Sequence, residues 1–214
     1  DGLYDRCIGY HSLGARFAKW RAVITIGEDI PTDDCIRGNA SALAKYAKAC
    51  QDAELVPIVE PEVLMDGDHT IETCYEVSEK TFKTVFEELE NEGVHLPGIL
   101  LKPNMVISGA DAAERAGSDE VAARTAEVLK ACVPAEVPGV FFLSGGQGDV
   151  EATDHLNLMN RDHGPLPWRL TFSYGRALQA PSLRAWGGTV DGVAGGQAAL
   201  AKRARLNGAA SDGK

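Results

Sequence analysis

The stretch Gly98-Ile-Leu-Leu-Lys-Pro-Asn-Met-Val106 joins a short apolar run to a lysine that a proline follows directly. The apolar run has the length of a buried strand, and Pro103 has no N–H to donate to a sheet, so the strand is predicted to end at Lys102. Strand alternation predicts that Leu100, Lys102 and Asn104 share one face. The apolar flanks partly desolvate the ammonium, and desolvation favours the neutral amine that attacks carbonyl groups. The simpler alternative is a lysine whose ammonium extends from the strand end into water.

Length and composition limit the classes of protein to which this chain can belong. The chain has 214 residues, of which 44% are hydrophobic and 24% charged, values that suit one globular domain with its own core. The net charge of -10 argues against a nucleic-acid partner and against an anionic membrane surface, although a local basic pocket can still hold an anionic substrate. No apolar stretch reaches the length of a membrane span. We therefore expect a cytoplasmic protein.

Cysteines and histidines show no metal-binding spacing. The five cysteines contain no Cys-x-x-Cys pair and are odd in number, which favours reduced thiols over a disulfide framework. The five histidines never lie four residues apart, so a local zinc signature is absent from the sequence. Asp66-Gly-Asp-His69 resembles the start of a calcium loop but lacks the later ligands, and a turn is the better interpretation. We expect no metal and no cofactor.

Hydrophobic periodicity predicts one helix followed by five strand–helix units. The predicted strands cover residues 17–26, 56–62, 98–102, 139–146 and 168–174. The predicted helices cover residues 1–16, 38–53 with Asn39 as N-cap, 70–91, a segment starting at Ser118, 149–159 and 192–206. Residues 207–214 are small and polar and are predicted to form a flexible, frayed tail.

This element order predicts an α/β fold with a parallel sheet and crossover helices. Nearly continuous apolar strands, such as residues 139–143, predict burial on both faces of the sheet. An open doubly wound sheet also fits the order. A (β/α) barrel is favoured because polar residues collect at the C-terminal ends of the strands, where barrel enzymes build their sites.

Each predicted strand carries reactive or anion-binding residues at or near its C-terminal end. They are Lys19 with Arg21, Glu60 with Glu62, Lys102, Ser144-Gly-Gly146 and Ser173-Tyr-Gly-Arg176. Two carboxylates on one inward face disfavour simultaneous ionisation and suit proton transfer. Glycines allow backbone N–H groups to approach an anion closely. The alternatives are an exposed strand edge for the two cations, solvated carboxylates, and a simple tight turn at the glycines.

Six motifs, in the order in which they occur, resemble class I fructose-bisphosphate aldolases. They are Ala18-Lys-Trp-Arg21, Val56-Pro-Ile-Val-Glu-Pro-Glu62, Leu100-Leu-Lys-Pro-Asn-Met-Val106, Phe142-Leu-Ser-Gly-Gly-Gln147, Leu170-Thr-Phe-Ser-Tyr-Gly-Arg-Ala-Leu-Gln179 and Ala185-Trp-Gly-Gly188. The likeness covers essentially the whole chain. It implies an α/β fold of the TIM (β/α)8 barrel family, in which residues 1–214 form a single partial barrel domain covering roughly strands four to eight.

The resemblance also implies a role for each site residue. Lys102 lies at the family's Schiff-base position, and Glu60 matches the acid/base of carbinolamine dehydration and proton transfer. Glu62 matches a neighbour that tunes Lys102, and Lys19 matches a lysine that organises charge near the imine. The residues implied to bind substrate are Arg21, Ser144, Gly145, Ser173, Gly175 and Arg176.

The implied function is reversible cleavage of fructose 1,6-bisphosphate to dihydroxyacetone phosphate and glyceraldehyde 3-phosphate, in glycolysis and gluconeogenesis. The implied partners are a phosphorylated sugar and further copies of the chain in a homotetramer, with no nucleic acid and no membrane. One alternative is another Schiff-base aldolase, such as a transaldolase or deoxyribose-phosphate aldolase, but these lack the pairing of Ser-Gly-Gly-Gln with Ser-Tyr-Gly-Arg. Another is a non-catalytic binding or scaffolding piece.

The chain departs from the family at both ends. The family's barrel begins with three strand units, and it ends in a mobile tail with a terminal tyrosine; neither is present in this sequence. We therefore expect a fragment with open sheet edges that folds poorly alone and has little or no turnover.

Overall fold

The structure is a computed structural model that describes residues 2–214, and its elements follow the predicted order with one added helix. The elements are α1 (Leu3–Ser12), β1 (Phe17–Ile24), α2 (Asp33–Asp52), β2 (Val56–Val63), α3 (Ile71–Asn91), a short 3-10 turn (Leu96–Gly98), β3 (Leu100–Leu101), α4 (Ser118–Cys132), β4 (Gly139–Phe142), α5 (Asp149–Asp162), β5 (Arg169–Phe172), α6 (Arg176–Trp186) and α7 (Val193–Ala210). Within residues 2–214, no helix combines the length and apolar character needed to cross a membrane.

The five strands form one parallel sheet in the order β1-β2-β3-β4-β5. A doubly wound sheet reverses its strand order at a switch point, so this sequential order excludes that alternative. Sequential parallel strands separated by helices are the arrangement of a (β/α) barrel wall. Within the described residues, β1 and β5 each pair with one strand, and they form the two edges of the arc.

A row of four apolar side chains crosses the sheet from β2 to β5. Val59 is in register with Leu101, Leu101 with Val140, and Val140 with Leu170, and all four are buried. In β1, Trp20 points to the same layer, where its ring lies 5.9 Å from the Tyr46 ring of α2 (centroid to centroid). The main core therefore lies between the sheet and the helices. Because side chains alternate, the residue after each member of the row faces the concave side of the arc.

Helix α2 begins five residues earlier than the sequence pattern predicts. Thr32 is the N-cap, and its hydroxyl accepts a hydrogen bond from the Cys35 N–H at 3.2 Å. The predicted N-cap, Asn39, lies inside the helix, where its amide donates to the Cys35 carbonyl at 2.9 Å. The prediction was wrong because Gly38 was taken as a boundary, although one glycine costs a helix only about 1 kcal/mol.

Helix α6 was not predicted from the sequence. It contains Pro181 and follows Gly175, two residues that normally indicate a loop. Only Ala177 of this helix is buried, so the apolar periodicity that identifies a packed helix is weak.

The frayed tail predicted for residues 207–214 is wrong, because α7 continues to Ala210 and its last turns are packed. Asn207 is fully buried, and its amide accepts a hydrogen bond from the Thr153 hydroxyl at 2.8 Å. The Ser211 and Thr171 hydroxyl oxygens lie 2.9 Å apart, which connects this segment to β5. Small polar residues indicated a solvated tail, but here they satisfy polar groups on α5 and β5.

Candidate active site

Lys102, Glu60 and Lys19 form one ionic cluster on the concave side of the sheet. Lys102 Nζ lies 3.1 Å from Glu60 Oε1, and Lys19 Nζ lies 2.9 Å from Glu60 Oε2. The exposed fraction of the side chain is 4% for Glu60, 14% for Lys102 and 40% for Lys19. Lys102 is therefore the more desolvated lysine, as its sequence context predicts.

One carboxylate in this cluster faces two amines. With all three groups ionised the cluster carries one net positive charge, and loss of a proton from one lysine makes it neutral. Attack on a carbonyl requires that neutral amine. The arrangement can therefore place a nucleophilic amine and a proton-transfer group within hydrogen-bond distance of each other.

Arg21 and Glu62 form a second ion pair beside the cluster. The Glu62 carboxylate accepts a hydrogen bond from Arg21 Nε, and this bond raises the pKa of Arg21. Glu62 is almost fully buried, whereas about half of the Arg21 side chain is exposed. The contact of Glu62 is thus with Arg21, and the role of tuning Lys102 that the sequence implies for Glu62 stays a prediction.

The C-terminal ends of β2 to β5 stand side by side. Backbone hydrogen bonds beyond the strands join Lys102 N–H to Val59 C=O at 2.8 Å, Leu143 N–H to Pro103 C=O at 3.2 Å, and Ser173 N–H to Phe142 C=O at 2.8 Å. Each of the neighbouring strands β2 to β5 therefore brings one predicted site residue to the same rim of the sheet. In strand order these residues are Glu60, Lys102, Ser144 and Ser173. The structure brings together at this rim residues that lie far apart in sequence.

The loop Ser144–Gln147 makes a tight reversal after β4. Gly145 and Gly146 have φ of 58° and 99°, a region that favours glycine, and Gln147 N–H donates to the Ser144 carbonyl at 2.9 Å. A Cβ at Gly146 would lie 2.8 Å from Met65 Sδ and 3.7 Å from a terminal guanidinium nitrogen of Arg176. The backbone conformation thus favours glycine at position 146, and a Cβ there would also displace the Met65 side chain.

Arg176 is the first residue of α6 and lies against this loop. A cleft of about 170 Å³ is lined by residues of both segments, among them Gln147, Gly148 and Arg176. The first N–H groups of a helix have no partner within the helix and favour an anion. Gly175 precedes this end, and Ser173 is partly buried at the end of β5. Arg176 is the predicted anion-binding residue that lines this cleft, where Asp149 is also present, and its guanidinium lies beside the glycine loop.

Asn104 does not share a face with Lys102, contrary to the prediction. The strand ends at Leu101, so the two-residue alternation does not continue. Asn104 is buried, its Oδ1 accepts from the Val63 N–H at 3.0 Å, and its Nδ2 donates to the Ser78 hydroxyl of α3 at 3.1 Å. Asn104 thus connects the end of β2 to the helix layer.

Two buried residues that support the Ser144–Gln147 loop, its last residue Gln147 and His155 of α5, were not found by sequence reasoning. Gln147 Nε2 donates to the Ser144 carbonyl at 3.0 Å, and Gln147 Oε1 lies 2.6 Å from His155 Nδ1 of α5. Gln147 was visible only as the last residue of a quoted motif. His155 carries no local signal, because its contact depends on how α5 is rotated against the loop.

In the described part of the chain, no three His, Cys, Asp or Glu side chains form a group that could hold a metal ion. The five cysteines are free, and four of them are buried.

A family model described as "Glycolytic: Fructose-bisphosphate aldolase class-I" matches residues 1–214. The chain belongs to the class I fructose-bisphosphate aldolase family.

Individual aldolases show the same relationship. The chain is 54% identical to a probable fructose-bisphosphate aldolase class 1 of Xanthomonas campestris, covering 100% of this chain and 64% of that protein. It is 50% identical to the cytosolic fructose-bisphosphate aldolase 4 of Arabidopsis thaliana, covering 54% of it. The crystal structure of fructose-bisphosphate aldolase from Plasmodium falciparum, in a ternary complex with TRAP and a small-molecule inhibitor, matches with a TM-score of 0.98 and 49% identity.

The structural match confirms the predicted fold class, an α/β fold of the TIM-barrel family. It covers 100% of this chain and 62% of the Plasmodium chain. The chain therefore spans less than two thirds of the length of each of these three aldolases.

Proposed function

We propose that this aldolase chain forms an imine between Lys102 and a phosphorylated ketose, and that its function is the reversible cleavage of fructose 1,6-bisphosphate in glycolysis and gluconeogenesis. The observation that carries the proposal is the Glu60 carboxylate held between Lys102 and Lys19, with Nζ–O distances of 3.1 and 2.9 Å. The products are dihydroxyacetone phosphate and glyceraldehyde 3-phosphate. Lys102, Glu60, Glu62 and Lys19 are the proposed catalytic residues.

Imine formation begins when the neutral Lys102 amine attacks the ketose carbonyl. The resulting carbinolamine loses its hydroxyl as water, which needs a proton donor beside the nitrogen. Glu60 is the group we assign to this transfer, because its Oε1 is within hydrogen-bond distance of Lys102 Nζ. Lys19 stabilises the carboxylate that remains after the proton has left.

Carbon–carbon cleavage uses the protonated imine as the electron sink. A base removes the proton of the hydroxyl on the fourth carbon, the bond between the third and fourth carbons breaks, and its electron pair moves toward the iminium nitrogen. Glyceraldehyde 3-phosphate leaves, and the enamine on Lys102 then takes a proton at its third carbon. Hydrolysis of the imine releases dihydroxyacetone phosphate and restores the amine.

The phosphate of the ketose is assigned to the rim between β4 and α6. Ser144, Gly145, Ser173, Gly175 and Arg176 are the proposed ligands. Support comes from the closeness of Arg176, at the N-terminus of α6, to the glycine loop, where a Cβ at Gly146 would lie 3.7 Å from its guanidinium. Arg21 lies on β1, at the other edge of the sheet and half exposed on the concave side, and is proposed to contact the substrate.

We further propose a homotetramer of aldolase chains in the cytoplasm, with neither a nucleic-acid nor a membrane partner. The net charge of -10 supports this, because it repels large anionic partners such as nucleic acids and anionic membrane surfaces. A plant relative that is named cytosolic supports the compartment.

The test is trapping of the imine by reduction. The chain is incubated with dihydroxyacetone phosphate and borohydride, and the modified peptide is located by mass spectrometry. We expect one adduct, on Lys102, and none in the Lys102→Met variant. An adduct elsewhere would contradict the proposal.

A full-length relative, such as the Arabidopsis aldolase, is the positive control. If it is labelled at the equivalent lysine while this chain is not, the imine proposal fails for this chain and the scaffolding alternative is supported. Release of glyceraldehyde 3-phosphate from fructose 1,6-bisphosphate is measured separately, because imine formation does not require cleavage.

A further inference from the structure

We infer that Gln147 and His155 are positioning residues that orient the backbone N–H of Gly145 toward the substrate phosphate. The inference rests on the proposed function, in which Gly145 is a phosphate ligand. Neither residue would touch the substrate. They would act through the backbone of the loop between β4 and α5.

The inference starts from a chain of hydrogen bonds that connects α5 to the loop. His155 Nδ1 lies 2.6 Å from Gln147 Oε1, and Gln147 Nε2 donates to the Ser144 carbonyl at 3.0 Å. The backbone N–H of Gln147 donates to the same carbonyl at 2.9 Å. The Ser144 carbonyl is thus held by two donors from one residue.

The chemistry of the groups determines which one donates and which one accepts in each of these hydrogen bonds. An amide nitrogen can only donate, so Gln147 Nε2 must face the carbonyl and Gln147 Oε1 must accept from the histidine. His155 therefore carries its hydrogen on Nδ1. Each bond in the chain has one donor and one acceptor, and none can be reversed alone.

Holding the Ser144 carbonyl also fixes the next N–H. The C=O of Ser144 and the N–H of Gly145 belong to one planar trans peptide, so they point in opposite directions. Because the carbonyl points at Gln147, the Gly145 N–H points away from it. The side chain of Gln147 therefore sets the direction of a donor that it does not touch.

The loop needs such a support because glycines do not restrict their own backbone. Gly145 and Gly146 both have positive φ, and glycine adopts many other conformations at little cost. The supporting side chains are almost fully buried, with exposed fractions of 4% for Gln147 and 2% for His155. Buried polar groups that pair with one another favour one arrangement of a segment.

The test compares two ketones that differ only in the phosphate. Half-saturating concentrations for borohydride trapping on Lys102 are measured with dihydroxyacetone phosphate and with dihydroxyacetone. In Gln147→Leu and His155→Leu we expect the value for the phosphorylated ketone to rise about tenfold, the effect of one hydrogen bond to a charged group. The value for dihydroxyacetone should change by less than about twofold, because Lys102 and Glu60 are untouched.

His155→Asn is the matched control. The Nδ2 of asparagine occupies the same position along the side chain as Nδ1 of histidine, so this variant keeps a donor for Gln147 Oε1. We expect its selectivity for the phosphorylated ketone to stay near that of the unmodified chain. If it is as defective as His155→Leu, the hydrogen-bond argument is wrong.

Two further outcomes separate the inference from the proposed function. Equal losses with both ketones in the leucine variants would show a merely structural role and would overturn the inference. If neither ketone labels Lys102 in the unmodified chain, the proposed function fails. The inference about Gln147 and His155 is then tested by titration with inorganic phosphate. The Gly145 amide resonance should then shift on phosphate addition, with about tenfold weaker affinity in Gln147→Leu; no difference would refute it.

Discussion

At the scale of single residues, Glu60 is the group on which the candidate site depends. It is the buried partner of two lysines that come from different strands, and the less exposed of the two is the proposed nucleophile. Removing one partner of a buried ionic cluster leaves the others uncompensated. Glu60 therefore affects both the chemistry and the charge balance of the rim.

Replacing Glu60 by glutamine should slow imine formation while preserving side-chain shape. Positioned acid–base groups contribute about 10²- to 10⁴-fold, so we expect the rate of borohydride trapping at saturating ketone to fall by about a hundredfold or more. Quenched-flow labelling measures it, with the exposed Glu136→Gln as the matched control. A fall of less than about threefold would mean that Glu60 is not the proton-transfer group.

His69 gives a prediction about pH. Within residues 2–214 neither ring nitrogen has a hydrogen-bond partner, and burial lowers the pKa of His69 although the carboxylate of Asp68 opposes this effect. The folded protein thus favours the neutral ring. Its contribution to stability is complete above the unfolded pKa of about 6.5 and is lost as the pH falls below it.

We expect the free energy of unfolding to decrease from pH 7.5 to pH 5.5, and to decrease less in His69→Leu. Urea denaturation at several pH values measures both slopes. Identical slopes in the two proteins would contradict the assignment to His69. The His155→Asn variant is a useful comparison, because burial also lowers the pKa of His155.

The sequence placed Lys19, Glu60 and Lys102 at or near strand ends, and the family resemblance implied that they act together; two simple regularities explain why the structure brings them close. Alternation along strands places Lys19 and Glu60 on the concave side, and sequential parallel order places Lys102 in the next column. The support by Gln147 and His155 could not be predicted, since it depends on the rotation of one helix and on two side-chain conformations. Asn104 was misplaced because the alternation stops where Pro103 ends the strand.

At the scale of elements, close packing of α6 on α7 depends on small residues. A Cβ at Gly196 would lie 2.9 Å from the Trp186 Cβ and 3.3 Å from the Ser182 carbonyl oxygen. The Ser182 hydroxyl donates to the Gly196 carbonyl at 2.7 Å, which fixes this approach. The sequence did not predict this pair, because glycine and proline usually indicate loops and here they allow two helices to meet.

The substitution Gly196→Ala should therefore destabilise the protein. Overpacking costs about 1–3 kcal/mol, and we expect a loss of that size in the free energy of unfolding. The matched control is Gly208→Ala in the same helix, where a Cβ would meet nothing within 4 Å. Alanine should there raise stability by about 0.5–1 kcal/mol. Chemical denaturation of both variants measures the contrast, and equal effects would contradict the packing argument.

At the scale of the whole molecule, the open arc of five strands leaves two edges. Among the described residues, β1 pairs only with β2, and Phe17 at its start is 64% exposed. Unpaired strand edges are templates for pairing with another chain. The edge is therefore the part of this chain at which we expect association.

We expect the chain to self-associate as its concentration rises, and Phe17→Lys to reduce that association. A charge on an edge strand disfavours edge pairing, whereas Leu13→Lys changes an even more exposed apolar residue that lies outside the strand. Sedimentation velocity at several concentrations measures the effect. A monomer at all concentrations, or equal effects of both variants, would refute the assignment to β1.

The order of the rim along the chain has a consequence for how its specificity can be altered. The proposed carbonyl chemistry comes from residues 19–102, and the proposed phosphate ligands come from residues 144–176, with α4 between them. Apart from Arg21, the proposed reacting residues and the proposed phosphate ligands thus form consecutive blocks of one polypeptide rather than interleaved positions. A single crossover near residue 135 could exchange the second block while the first is inherited unchanged.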